Sequence, residues 1–217
     1  MSSTLITQKI LRVEELGVVD YLPAWQLQKD IQEKVINNIQ PNTLLIMEHP
    51  SVYTAGRRTE ISDRPLDNTP VIDVDRGGKI TWHGLGQIVG YPIVKLKIST
   101  DVVGFVRELE SALIEICDEF GIKAQRYCER SGVWLRDEKG DRKIAAIGLR
   151  VAKGVTMHGF ALNVNPELTA YSKILPCGIA DAKVTSLAAE LGRDIKIDEV
   201  MPVLKKHILP MLERVSQ

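Results

Sequence analysis

Residues 143–164 read KIAAIGLRVAKGVTMHGFALNV. Two runs of β-branched and small apolar residues, 143–151 and 155–164, flank Lys153-Gly154, which sits where a hairpin turn would fall. The stretch is therefore expected to form two adjacent strands. Working outward, further strands are expected at 133–136, 87–95, 71–75, 43–48 (ended by His49-Pro50) and 10–16. Residues 21–39 place Leu22, Trp25, Leu27, Ile31, Val35 and Ile39 near helical spacing, and Pro41-Asn42 breaks the run. Asp101 suits the N-cap of a helix through Phe120. Its expected apolar face is Val102, Val106, Leu109, Leu113, Ile116, Cys117 and Phe120, with Gly121 at its C-terminal cap. Short and long helices are expected at 186–191 and 198–215, with Pro202 tolerable in the first turns of the latter. Strands come in groups broken by a few helices, without strict βα alternation. That pattern predicts an α/β (α+β) fold with mixed, largely antiparallel sheets packed with helices. No repeat, low-complexity tract or linker interrupts it, so residues 1–217 read as one domain.

Composition narrows the function. The 217 residues carry 28 Lys+Arg and 28 Asp+Glu, a formal net charge of zero, which argues against a protein that coats nucleic acid. No apolar run approaches the roughly 20 residues of a membrane span, and the N-terminal residues lack the apolar core of a signal peptide. A cytoplasmic location is expected. Cys117, Cys128 and Cys177 show no CxxC spacing, and His49, His83, His158 and His207 show no HxH or HExxH spacing, so neither a disulfide framework nor a metal site is expected.

Residues 76–92, RGGKITWHGLGQIVGYP, hold five glycines. Glycine lets a ligand approach the backbone closely. Gly77-Gly78 follow an expected strand, where freed N–H groups could hold a carbonyl or phosphate oxygen. Arg76, His83 and Gln87 add donors. The plainer alternative is a pair of tight turns with His83 at the surface. The segment is neither a GxGxxG fingerprint opening a helix nor a Walker A loop. Cys177 lies in ILPCGI (174–179), a loop whose Pro176 and Gly178 could present the thiol as a nucleophile; an inert buried thiol is the alternative, and Cys117 on its apolar helix face fits that alternative well. Lys143 opens an apolar strand, where partial desolvation would lower an amine's pKa and where it could stabilise a thiolate. The alternative is a strand-end lysine in water. Gly159 and Ala161 alternate on one face of their strand and leave room for something slender, or for close packing of another layer. His158 is expected as a half-buried strand residue with a satisfied hydrogen bond. His49 and Arg57-Arg58 are expected in a solvated loop, although they could bind an anion.

The ordered set RGGKITWHGLGQIVGYPI, KIAAIGLRV, HGFALNVN and LPCGI, with MEHPSVYTAGRR upstream, resembles the lipoyl(octanoyl) transferases over residues 20–191. Leu85 and Trp82 depart from the usual HGPGQ and Tyr of that family, at positions presumed to lie in the acyl pocket. The resemblance implies a fold similar to the biotin and lipoate protein ligases. It also implies transfer of an octanoyl group from octanoyl-acyl carrier protein to a specific lysine. The acceptors would be the lipoyl domains of 2-oxoacid dehydrogenases or the glycine-cleavage H protein. By the same resemblance Cys177 would be the acyl-thioester nucleophile and Lys143 would lower its pKa and manage protons. Arg76, Gly77, Gly78, Lys79, Ile80, Thr81, Trp82 and His83, with Ala146, Ile147, Gly148, Gly159, Phe160 and Ala161, would bind substrate. No metal, cofactor or ATP would be needed. The rival reading is an ATP-dependent lipoate or biotin ligase on the same scaffold, in which a lysine at the Lys143 position binds an acyl-adenylate and no cysteine reacts. A non-catalytic carrier- or lipoyl-domain-binding module would need neither Cys177 nor Lys143.

Overall fold

Lys153 and Gly154 take φ values of 49° and 78°, the paired left-handed conformation that a two-residue I′ turn demands. That turn joins β9 (Gly140–Ala152) to β10 (Val155–Asn163), with Val155 opposite Ala152 and Phe160 opposite Ile147. The computed structural model describes residues 11–67, 69–127, 130–174 and 183–217. Around the hairpin grows an eight-stranded sheet. On one side of β10 lie β6 (Gln87–Ile93), β2 (Thr43–Glu48) and β1 (Arg12–Val18); beyond β9 lie β8 (Arg130–Asp137) and β7 (Gln125–Tyr127). β11 (Lys183–Val184) also joins β9. Its pairings are antiparallel except for β1 with β2 and β11 with β9. A second sheet has the order β4 (Val71–Asp73), β3 (Val52–Ala55), β5 (Thr81–His83). The helices are α1 (Tyr21–Ile36), α2 (Val102–Glu119), α3 (Leu187–Leu191) and α4 (Ile197–Val215). The mixed, largely antiparallel architecture expected from the strand grouping is the one observed.

α2 and α4 cover one face of the large sheet. Leu44, Ile46, Ile88, Phe160 and Leu162 of the strands meet Leu109, Leu113, Ile116, Leu204 and Ile208 in one cluster. α1 covers part of the other face, packing Ala24, Ile31 and Val35 on Leu45, Val89, Tyr91 and Ala161. The capping expectations for α2 hold: Asp101 Oδ1 accepts from the Gly104 N–H at 2.8 Å, and Gly121 takes φ 74° after the last turn.

Several details differ from the sequence expectation. α1 stops at Ile36, and Asn38 turns the chain at φ 56°. Leu22 and Ile39 are exposed, while Gln28 and Gln32 are buried. The amides pack inward because the sheet supplies partners: Gln32 Nε2 donates to Val155 O, and the His158 N–H donates to Gln28 Oε1. Ile31 and Val35 are buried as their spacing predicts and Trp25 and Leu27 are half-buried, but the buried stripe also takes in Gln28 and Gln32 and leaves out Leu22 and Ile39. Residues 81–83 form a strand where turns were expected, because β3, itself not anticipated, pairs with them. Among the described residues no helix is long and apolar enough to cross a membrane.

Candidate active site

β9 and β10 carry unusually small residues on the face opposite α2 and α4. Ala146 and Gly148 of β9, with Gly159 and Ala161 of β10, front a cavity of about 520 Å³. The glycines are required by close approach. A Cβ on Gly159 would lie 2.0 Å from the Gly90 carbonyl oxygen, and one on Gly148 would lie 3.0 Å from Arg76 Cδ. Ile147 and Phe160 touch the same space, as do Arg76, Gly78, Lys79, Ile80, Thr81 and His83 from the opposite wall.

Two residues expected with these lie elsewhere. Trp82 alternates with Thr81 and His83 along β5, so its indole points away. Its Nε1 donates to Ser51 Oγ at 2.9 Å and its ring packs edge-on against Tyr171. Gly77 is not among the lining residues, and its N–H donates to Leu149 O at 2.9 Å. The expectation of a free oxyanion-binding N–H therefore fails at Gly77. Leu85, placed with Trp82 in the presumed acyl pocket, is 59% exposed. Arg76 is a staple. Its buried guanidinium donates to the carbonyls of Thr54, Gly77 and Lys79 at 2.8–3.0 Å and to Thr54 Oγ1, tying the glycine loop to β3.

His83 is buried, where a surface position was the alternative expected. Its Nδ1 lies 2.7 Å from Gln87 Oε1. An amide oxygen only accepts, so Nδ1 carries the proton. Burial, then neighbouring His49, pushes the His83 pKa down to about 3. His49, expected in a solvated loop, is fully buried. Its Nδ1 donates to Val19 O at 2.6 Å, and its Nε2 lies 2.8 Å from the Tyr91 hydroxyl, which donates to it. Burial lowers its pKa too. His158 is more buried than the half-buried residue expected. Its Nε2 donates to Asp75 Oδ1 at 2.8 Å, while its Nδ1 has no partner. Burial outweighs the Asp75 carboxylate and again lowers the pKa. The Tyr21 phenol is pushed up to about 12 by burial. These imidazoles and the Tyr21 phenol are therefore uncharged near pH 7, and the buried charge beside them on this wall is the Arg76 guanidinium.

Lys143 brings an amine to the same cavity. It is 8% exposed, lines the cavity, donates from Nζ to Ser131 O at 3.2 Å and sits 4.5 Å from the centre of the Trp134 ring. The reactive-thiol expectation at Cys177 lies outside the described residues, as does Cys128. The described residues flanking that segment do reach the site. Tyr171 on one side and Val184 on the other both line the cavity, and Val184 pairs with Lys143 itself. Cys117 is fully buried, and burial pushes its thiol up to about 12, as the inert reading expected. Among the described residues no three His, Cys, Asp or Glu side chains gather to hold a metal.

Sequence reading missed Tyr21, Tyr91, Arg130, Ser131, Asn163 and Tyr171, all cavity residues. Gln87 Nε2 donates to Asn163 Oδ1 and to the Tyr171 hydroxyl, and Asn163 Nδ2 donates to Thr185 O. A buried relay thus links His83 to the chain just after the undescribed segment. Asn163 left one signal, an amide closing a strand just after Phe160-Ala161-Leu162. The others come from distant parts of the chain.

Residues 20–209 match the model of the family described as the lipoyl protein ligase A/B catalytic domain. The chain belongs to this family. An octanoyltransferase of Salinispora arenicola is 55% identical over 204 residues, covering 93% of this chain and 96% of the relative. One of Mycobacterium tuberculosis is 53% identical over 203 residues, covering 94% and 87%. The fold extends across the lipoyl protein ligase family and beyond. The bi-partite lipoate protein ligase of Thermoplasma acidophilum superposes with a TM-score of 0.71 at 19% identity, covering 93% of this chain and 83% of that one. The biotin protein ligase of Aquifex aeolicus gives 0.53 at 15% identity, covering 95% and 71%.

Proposed function

We propose that this chain is an octanoyltransferase that moves an octanoyl group from octanoyl-acyl carrier protein to a specific lysine of lipoyl domains, through a thioester on Cys177, in one catalytic domain. The observation that carries the reading is the cavity itself. Uncharged buried imidazoles and a floor of Ala146, Gly148, Gly159 and Ala161 share the cavity with one buried amine, Lys143, and relatives more than half identical to the chain are octanoyltransferases. The volume of about 520 Å³ falls within the usual range for a small-molecule site.

In the first step the Cys177 thiolate attacks the thioester carbonyl, the carbon–sulfur bond to the carrier arm breaks, and the arm leaves as a thiol. In the second the acceptor lysine attacks the acyl-cysteine, the amide forms, and the thiolate returns. A thioester becomes an amide, so no nucleotide is consumed. Lys143 holds the proton that the leaving thiol takes up and the one that the incoming amine gives away. The acyl chain lies along the small-residue floor, where each buried methylene contributes about 0.8 kcal/mol.

Intact-protein mass spectrometry after mixing the protein with octanoyl-acyl carrier protein, without ATP, tests this reading. The expected result is a hydroxylamine-labile octanoyl adduct that chases onto a lipoyl domain and is absent in Cys177→Ala. Lys143→Met should slow the chase by roughly 10²- to 10⁴-fold, the usual contribution of a positioned acid–base group. Acyl transfer seen only when ATP and free octanoate are supplied would establish the ligase chemistry instead.

A further inference from the structure

Five cations line the cavity: Arg76 is bound to backbone carbonyls and Lys79 to Glu60 and Asp63, while Arg58 is exposed, Arg130 half-buried and Lys143 buried. The acid that shares this mouth, Glu60, is engaged by Lys79 at 3.1 Å, and Lys79 also meets Asp63 at 3.1 Å. Arg58 makes no ion pair among the described residues, while its backbone N–H donates to Gly78 O at 3.0 Å and fixes where the side chain starts. The Arg130 guanidinium lies 4.7 Å from the Tyr127 ring centre and 5.9 Å from that of Trp134. Its ion pair with Asp141 is long, 3.9 Å, and that carboxylate already accepts from the Tyr127 hydroxyl at 2.5 Å. A protein of zero formal net charge thus keeps an excess of positive charge along this cavity, with Arg58 and Arg130 as its more exposed part.

We infer that Arg58 and Arg130 form an anion subsite for the phosphate of a 4′-phosphopantetheine thioester, the donor end of the transfer proposed above, on which this inference rests. Guanidinium groups match phosphate oxygens in a planar fork, and stacking on aromatic rings holds such a fork in place. Between its thioester and its phosphate a pantetheine arm carries only neutral amides and a hydroxyl, so the phosphate is the group that two arginines at the mouth can recognise. Holding it sets how far the arm reaches and brings the thioester carbonyl toward Lys143.

The same phosphate occurs on carrier proteins and on coenzyme A, and the test separates them. kcat/KM would be measured with octanoyl-pantetheine, octanoyl-4′-phosphopantetheine, octanoyl-coenzyme A and octanoyl-acyl carrier protein, for the full chain and for Arg58→Gln and Arg130→Gln. Each variant is expected to lose about tenfold or more with every phosphorylated donor, the scale of one charge-assisted hydrogen bond, while octanoyl-pantetheine stays within about twofold. Arg58→Gln carries the test should Arg130→Gln fail to fold, because Arg58 is exposed and unpaired. Equal losses on phosphorylated and unphosphorylated donors, or no loss on either, would overturn the subsite. A loss confined to the carrier protein would overturn it too, in favour of contacts with the carrier's folded surface. If the unmodified chain accepts acyl groups from no thioester at all, the transferase reading fails first and the subsite with it.

Discussion

The two faces of β6, β9 and β10 are built from the same backbone and do opposite things. On the α2/α4 face Ile88, Ile147, Phe160 and Leu162 interlock with the helices. On the other, Ala146, Gly148, Gly159 and Ala161 leave a cavity. Along β10 the switch occurs at every residue, from Gly159 to Phe160 to Ala161 to Leu162. The packed face even uses the emptiness of its neighbour strand, since a Cβ on Gly90 would come within 2.2 Å of the Phe160 ring. Stability and binding space are thus divided between faces. Fully burying a large apolar side chain stabilises by about 1.5–3 kcal/mol, and the site face forgoes that gain at four positions where the helix face takes it.

The contrast can be broken most severely at Leu162, which is fully buried. Leu162→Ala should cost about 2–5 kcal/mol in urea unfolding. A cost below about 1 kcal/mol would mean that this face is looser than its packing implies. The buried imidazoles on the site face give the next effect. Their ordinary pKa is 6.5, and in the folded chain that of His83 is about 3. The unfolded chain therefore takes up a proton as pH falls below 6.5 while folded His83 does not, so stability present above pH 6.5 is lost as pH falls toward 3. His83→Gln should flatten stability against pH between about 6 and 4 by up to about 1.4 kcal/mol per unit. An unchanged slope would mean that His83 is protonated inside the fold. The mildest expected change is at Ala146. Ala146→Leu fills the cavity without entering the helix-side core, so its stability should stay within about 1.5 kcal/mol. Transfer of octanoyl should fall about tenfold relative to butanoyl, within the range of hydrophobic-pocket discrimination. Equal rates for both chains in this variant would place the acyl group elsewhere.

Much of this contrast was legible in the chain. The alternation Gly159–Phe160–Ala161–Leu162 announces a strand with one roomy face, and Lys153-Gly154 announces the turn that pairs it with Ala146 and Gly148. Asp101 and Gly121 marked the ends of α2. The buried face of α1 was legible only in part: Ile31 and Val35 go inside as their spacing predicts, while Gln28 and Gln32 go inside only where β10 offers partners. The resemblance placed Trp82 and His83 together against substrate, and only the alternation of β5 sends their side chains to opposite sides. That Arg76, a cavity residue, also binds the carbonyls of Thr54 and of its own loop was not legible, because Thr54 lies far from it in the chain.

The sequence by itself determined the longer strands and helices and their order, though not β3, β5, β7 or β11, together with the size alternation that opens a cavity and the resemblance of its motifs to a family of acyltransferases. These are local matters of turn chemistry, periodicity and residue size. Only the tertiary structure decided that His49 and His83 are buried neutral groups, that Tyr21, Tyr91 and Tyr171 join them, and that Lys143 meets Ser131 and Trp134 while Arg58 and Arg130 share its entrance. Burial and electrostatic environment depend on which distant segments pack together, and no window of sequence contains both partners.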